Sequence, residues 1–396
     1  MKKILYIADV FPYPTISGGK IRTYNLLKIV SQNNKVDFLC LNDEKVADKD
    51  LQHIKNMCNS VNIFYLENVS KIKRLINFIT LNSDKLFLNY KKELDDKIVI
   101  MLEENDYDVI FVDSLFLYRY IKNKNIKRGK CKIILDIHNV ENEILFRTMK
   151  ETKNPIVKIY SLIEHFNIKK FERYSIEDSD ISIVVSKRDR DKYLNEINVD
   201  ESKVCVVENG FDSNVTKSEV KSDDSENYLL FVGSLWYRPN YDGLYWFIDN
   251  VWDDILIKYP NLKLKVIGKY RNEDKKIDKK NVEYLGFVDD LSIYYNNAIC
   301  SIVPLFIGSG TRLKILEAFS YKCPVISTDV GCEGLDVTDG ENIIISNDKD
   351  SFIEAIQVLI NKENKERIIN NAYSLIKKKY DWNVIKEKVE KILTDC

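Results

Sequence analysis

The chain has 396 residues and a formal net charge of −1. That length gives two domains room to bury a core each, and the charge balance excludes a dedicated nucleic-acid binder, which carries a clear basic excess. No run approaches the ~18 uninterrupted apolar residues of a membrane span. The eight cysteines lack Cys-x-x-Cys spacing, so neither zinc nor a disulfide framework is expected and a reducing cytoplasm is the natural setting.

Met1-Lys2-Lys3 precedes a short apolar run that meets Asp9 too early for a signal peptide and reads as a first buried strand. Further β-branched runs follow at 36–41, 61–66, 109–112, 132–137, 181–185 and 204–207, with longer amphipathic stretches between them. Residues 213–227 are polar and poor in apolar side chains, the composition of a linker. A second series of strands is predicted at 228–232, 262–267, 282–285, 301–305, 325–327 and 343–346, with a helix over 241–259. Val384, Ile385, Val389, Ile392 and Leu393 repeat at helical spacing in a final helix. The alternation predicts an α/β protein of two doubly wound, Rossmann-like domains, 1–212 and 228–379.

In open α/β sheets, ligands bind beyond the carboxyl ends of the strands. Ser17-Gly18-Gly19-Lys20-Ile21-Arg22 follows the first strand, and its paired glycines either bring a ligand against backbone amides or form a turn and helix cap. His138, in Leu135-Asp136-Ile137-His138-Asn139, is the one of three histidines that falls at a strand end among polar residues; His53 and His165 read as surface or packing residues. Val206-Val207-Glu208-Asn209-Gly210-Phe211-Asp212 suits an Asn-Gly turn. Asp178-Ser179-Asp180 precedes a strand instead of ending one, so it reads as a surface turn or helix end and not as a metal site.

The most telling stretch is Phe306-Ile307-Gly308-Ser309-Gly310-Thr311-Arg312-Leu313-Lys314-Ile315-Leu316-Glu317-Ala318, between an apolar run at 300–305 and another at 324–328. Here a glycine loop opens into a helix whose unpaired N–H groups and dipole suit an anion. Arg312 and Lys314 fall in its first turn, an unfavourable place for cations unless an anion is bound. Glu317, among apolar neighbours, needs either hydroxyl donors or a cation; an i,i+3 pair with Lys314 is the alternative to a pair of ribose hydroxyls.

The run GSGTRLKILEAFSYKCPVIST resembles the nucleotide-sugar motif of family 4 glycosyltransferases, retaining enzymes of GT-B fold, in a variant branch carrying GSGTRLK. Glu317 stands where the family's second motif Glu binds the donor ribose. Ser309 stands where the first Glu would be, and Arg312 where the second glycine would be. His138 matches the family histidine that contacts the donor sugar, and the loop of Gly18 and Gly19 matches one that faces the donor phosphates. Asn209-Gly210-Phe211-Asp212 resembles the segment before the second domain. In the loop of Gly233 the family's phosphate-binding arginine is missing and Arg238 is displaced.

The resemblance implies two domains facing each other across a cleft, with the last helix, 380–396, crossing back onto the first. It implies transfer of a sugar from a nucleoside diphosphate sugar to a glycan or lipid-linked acceptor hydroxyl, with retention. His138, Arg312 and Lys314 would serve the chemistry. Gly18, Gly19, Gly233, Gly308, Ser309, Gly310, Thr311 and Glu317 would hold the donor, without cofactor or metal, because cationic side chains and the helix end neutralise the diphosphate. The mixed basic and apolar stretches at 71–79 and 86–92 leave contact with an anionic membrane surface open. An epimerase or hydrolase of the same fold, or a non-catalytic nucleotide-sugar-binding subunit, is the alternative.

Overall fold

The computed structural model describes residues 1–67, 83–122, 124, 130–212, 227–270, 277–308 and 311–396. Most of the linker predicted at 213–227 and the basic stretch at 71–79 lie outside those residues.

The chain divides into two compact units, one of Met1–Glu208 with Ile385–Cys396, the other Asn209–Val384. The first holds strands β1 (Lys3–Ala8), β2 (Lys35–Asn42), β3 (Ser60–Tyr65), β4 (Val109–Asp113), β5 (Lys132–Ile137), β6 (Ile181–Val184) and β7 (Val204–Val206). They form one parallel sheet in the order β3-β2-β1-β4-β5-β6-β7. The second holds β8 (Tyr228–Val232), β9 (Lys263–Ile267), β10 (Val282–Gly286), β11 (Cys300–Val303), β12 (Val325–Ser327) and β13 (Ile344–Ile345), parallel throughout, in the order β10-β9-β8-β11-β12-β13.

Both sheets are doubly wound and reverse direction beside their first strand, between β1 and β4 in one and between β8 and β11 in the other. Helices cover both faces, so the central strands are apolar without alternation: Ile4 to Ala8 and Leu229 to Phe231 are all fully buried. The edge strands β3 and β10, packed less completely, are only half-buried. Asn209 to Phe211 belongs with the second unit because Phe211 N–H donates to the Tyr380 carbonyl at 2.7 Å. The final helix, Trp382–Asp395, buries Ile385, Val389, Ile392 and Leu393, and Lys388 Nζ bonds Glu208 at 2.5 Å within the first unit.

Candidate functional site

In the second unit the strand order reverses between β8 and β11; Gly233 directly follows β8 and the loop of Gly308 follows β11. Ser309 and Gly310 lie outside the described residues. The helix after them runs Leu313–Ser320, with Arg312 at its N-cap and Thr311 just before it. Gly308 has φ +142°, and a Cβ there would overlap Arg312 Nη2, so this glycine is required by both its backbone and its neighbour.

The Lys314 ammonium donates to Asn240 Oδ1 at 2.8 Å and sits 5.1 Å from the Phe231 ring centroid. Gly233 makes room for it: a Cβ there would come within 2.7 Å of Nζ. Burial, then repulsion by the Arg312 guanidinium, brings Lys314 down to about 7, with Glu317 opposing. Burial likewise lifts Glu317 to about 7, against a hydrogen bond from Tyr295 OH at 3.2 Å and the lysine's charge. The two side chains thus have separate partners, and the i,i+3 ion pair is not formed. Each is held where its charge is costly until a ligand compensates it: an anion would favour the ammonium, and hydroxyl donors the carboxylate. Arg238 is engaged with Asp242 at 3.1 Å on its own helix.

In the first unit, Asp9, Asp113 and Asp136 fall at or just past the carboxyl ends of β1, β4 and β5. Ladder register places Ala8 opposite Asp113 and Asp113 opposite Asp136. Arg22, fully buried in helix Gly18–Gln32, grips Asp136 at two points, Nε at 2.8 Å and Nη2 at 2.5 Å. Its Nη1 donates to the carbonyls of Val207 and Glu208 at 3.0 and 3.2 Å. Tyr6 OH donates to Asp113 at 2.9 Å. His138 Nε2 then approaches both carboxylates, at 2.7 Å from Asp113 and 3.0 Å from Asp136.

The surrounding carboxylates favour a protonated imidazole. Two buried carboxylates face one guanidinium, and a neutral ring would leave one anion uncompensated in a low-dielectric interior. Burial alone would lower the histidine, but the Asp136 charge and the bond to Asp113 outweigh it and raise it to about 10. Asp136 is held well below the carboxylate range, its burial overcome by Arg22 and then by His138. Burial lifts Asp9 to about 6 despite the His138 charge and a hydrogen bond from Ser114. The ring keeps 23% of its surface exposed. Among the described residues its Nδ1 makes no hydrogen bond, so an imidazolium there has one N–H to offer.

Ligand atoms of Asp113, Asp136 and His138 lie within 4.8 Å of one another. Both carboxylates are already committed, to Tyr6 and to a guanidinium 2.5 Å away that repels a cation, so these residues fit an ion-pair network better than a metal.

The paired glycines form the first helical turn and not the loop before it, because Ile21 N–H already bonds the Ser17 carbonyl at 2.9 Å. Nothing lies within 4 Å of a Cβ built on Gly19, so packing gives no reason for glycine there. His53 stacks on Tyr13 at 4.1 Å and bonds Tyr24, and His165 bonds the Asn142 carbonyl at 2.8 Å. Asp178 accepts from Tyr118 OH, while Asp180 accepts from Ile133 N and Lys132 Nζ; this triplet ties a helix end to the entry of β5. Arg22, Asp113 and Asn240 were not singled out from the sequence. The signal available for the aspartates was a carboxylate ending three apolar strands in turn.

Residues 16–215, half of the chain, match the family model described as Glycosyltransferase Family 4. The chain belongs to glycosyltransferase family 4. Residues 226–362 match a second model, Glycosyl transferases group 1. An uncharacterized 44.6 kDa protein in the cps region of Klebsiella pneumoniae is 26% identical over 96% of this family 4 chain and 97% of its own length. Sucrose-phosphate synthase from Thermosynechococcus elongatus has a TM-score of 0.70 at 15% identity, covering 100% of this chain and 99% of that one. HepE of Anabaena, solved in complex with UDP and glucose, has a TM-score of 0.68 at 14% identity over 100% of both chains. The fold is that of GT-B glycosyltransferases, with two Rossmann-like domains.

Proposed function

We propose that this family 4 glycosyltransferase moves a sugar from a nucleoside diphosphate sugar to an acceptor hydroxyl with retention and without a metal. The observation that carries the reading is the placement of Arg312 and Lys314 at the start of the helix Leu313–Ser320, with Glu317 one turn on, at the strand-order reversal of the second unit. Arg312, Lys314 and the helix end hold the diphosphate, and Glu317 takes the ribose hydroxyls. The UDP bound by the Anabaena protein of like fold supports a nucleotide donor.

In the transfer, the bond from the anomeric carbon to the diphosphate breaks and the bond to the acceptor oxygen forms on the same face of the sugar. The acceptor's proton passes to the departing diphosphate, whose charge the cations and helix end stabilise. His138, held as a cation, donates from Nδ1 to the sugar. It is not a proton acceptor in this scheme.

The relative in a cps region supports cell-surface polysaccharide assembly as the setting, with a glycan or lipid-linked acceptor. A lipid-linked acceptor brings the enzyme to the cytoplasmic face of a membrane as a peripheral protein; no helix among the described residues is long and apolar enough to cross one. Ser309, in place of the family's first Glu, favours a second reading, a nucleotide-sugar-binding subunit without transfer. A panel of nucleoside diphosphate sugars tests both. The donor that raises the melting temperature is then incubated with membrane-derived acceptors. Labelled glycolipid or glycan supports the transferase, tight binding without any product supports the subunit, and donor turnover without acceptor supports a hydrolase or epimerase.

A further inference from the structure

Helix Pro155–Asp178 in the first unit starts cleanly, with the Asn154 side chain accepting from the Ile156 and Val157 amides and proline in its first turn. Its buried face mixes polar and apolar side chains, and its exposed face carries large apolar ones. It buries Ser161, Glu164, Glu172 and Ser175 along with Ile168, Phe171 and Ile176. Outward it presents Ile156, Ile159, Leu162 and Phe166, which are 73%, 55%, 40% and 63% exposed. Their spacing of three, three and four residues puts them on one face.

The inward glutamates have structural work. Glu164 accepts from the Ser83 hydroxyl at 2.9 Å and the Asp84 amide at 2.7 Å, which anchors the next segment of chain. Glu172 accepts from the Asn142 amide and from Tyr193 OH, both at 3.2 Å. Among the described residues nothing comparable explains the outer face. Phe146, 37% exposed on helix Glu141–Glu151, extends it, joined through the His165 ring, whose centroid is 5.4 Å from Phe146 and 5.3 Å from Phe166.

Charge around the patch has one dominant sign. Lys150, Lys153, Lys158 and Lys170 are exposed and have no carboxylate partner among the described residues, whereas Lys169 and Arg173 are paired with Glu196 and Glu177. Glu151 is the exposed acid nearest in sequence. In a chain of net charge −1 this excess is local.

We propose that this face seats the enzyme on an anionic bilayer surface. The apolar stripe enters the acyl boundary while the lysine rim meets the headgroups. A second copy of the chain is a poorer occupant, because two-fold pairing sets the patch on itself and lysine rim against lysine rim. The proposal rests on the membrane-borne acceptor inferred above and gives it a surface on the helix Pro155–Asp178.

Co-sedimentation of the full chain with vesicles tests it, using phosphatidylglycerol mixed with phosphatidylethanolamine against phosphatidylcholine alone, with UDP binding measured in parallel. Wild type should partition onto the anionic vesicles and be released by salt. Ile159→Ser combined with Phe166→Ser should lower partitioning more than about tenfold, and Lys153→Ala and Lys158→Ala about fivefold each. All should keep wild-type melting temperature and UDP affinity. No partitioning onto anionic vesicles, equal partitioning onto phosphatidylcholine, or a dimer that dissociates in the Ile159→Ser/Phe166→Ser variant would each overturn the docking proposal while leaving the transfer reading intact. Absence of UDP binding by wild type would instead sink the transfer reading, whatever the vesicles show.

Discussion

Asp113 and Asp136 stand opposite each other in register on neighbouring parallel strands, and one nitrogen of His138 closes on both. Each aspartate is tied from behind, Asp113 by Tyr6 and Asp136 by Arg22. The imidazole is therefore oriented by groups that cannot turn away, and its protonation is set by them.

The first prediction concerns that protonation. Nitrogen chemical shifts of the His138 ring should stay those of an imidazolium through pH 8, and Asp113→Asn should move its titration down towards the ordinary histidine value of 6.5. The linkage has a definite sign. The folded value of about 10 lies above the unfolded one, so the stabilisation is fully present below about 6.5 and is lost as pH rises towards 10. Asp136 has the opposite sense: its contribution is present above the unfolded value of 3.8 and is lost as pH falls through its depressed folded value. The melting temperature of wild type should decline between pH 7 and 10 more steeply than that of His138→Gln. Equal slopes, or a neutral ring at pH 7.5, would refute the assignment.

Substituting His138 by Ala should leave UDP affinity unchanged, because the nucleotide is assigned to the second unit. Transfer should fall roughly 10–100-fold, the loss of one charged hydrogen bond in the transition state. A lowered melting temperature with wild-type turnover would mark the histidine as structural only.

Glu317→Ala and Arg312→Ala should each weaken UDP binding by about 2–4 kcal/mol through loss of the ribose and diphosphate contacts. Calorimetry on the folded variants measures this directly, and unchanged affinity in both would remove the nucleotide from this helix.

Lys314, brought down to about 7 in the free protein, should gain a proton when a diphosphate arrives. At pH 8, calorimetry in two buffers of different ionisation enthalpy should report proton uptake on UDP binding by wild type. Lys314→Met should take up less. The same uptake in wild type and variant would mean that the lysine does not meet the phosphates.

On the proposed reading, in which protein cations and a helix end supply the neutralising charge, transfer should survive excess EDTA. Loss of activity restored by Mn²⁺ or Mg²⁺ would overturn this and reopen Asp113, Asp136 and His138 as ligands.

The two sheets were legible because central parallel strands are continuous apolar runs bounded by polar turns. Residues such as Leu229, Leu230 and Phe231 leave little choice. Strand ends were less legible: the run through Leu305 looks like strand, but the ladder stops at Val303, where Pro304 follows and Leu305 N–H turns back to the Val303 carbonyl at 3.0 Å. The helix Leu313–Ser320 stood out because the glycines before it, its cations and its glutamate are contiguous. Arg22 and Asp136 are 114 positions apart, and Lys314 and Asn240 are 74 apart. Nothing local in sequence pairs them; only the sheet order does.

The space above Gly233 separates folding from recognition. An added methyl would meet the ends of two side chains, Lys314 Nζ at 2.7 Å and Asn240 Nδ2 at 2.8 Å, and no backbone within that distance. Those ends bond each other, and Asn240 Nδ2 also donates to the Ser234 carbonyl at 3.0 Å, so Gly233→Ala should break this local seat and dislodge the ammonium while leaving the sheet in place. A position without a side chain thereby dictates where a cation stands 81 residues later, and a change there would escape any screen that reads only expression or thermal resistance.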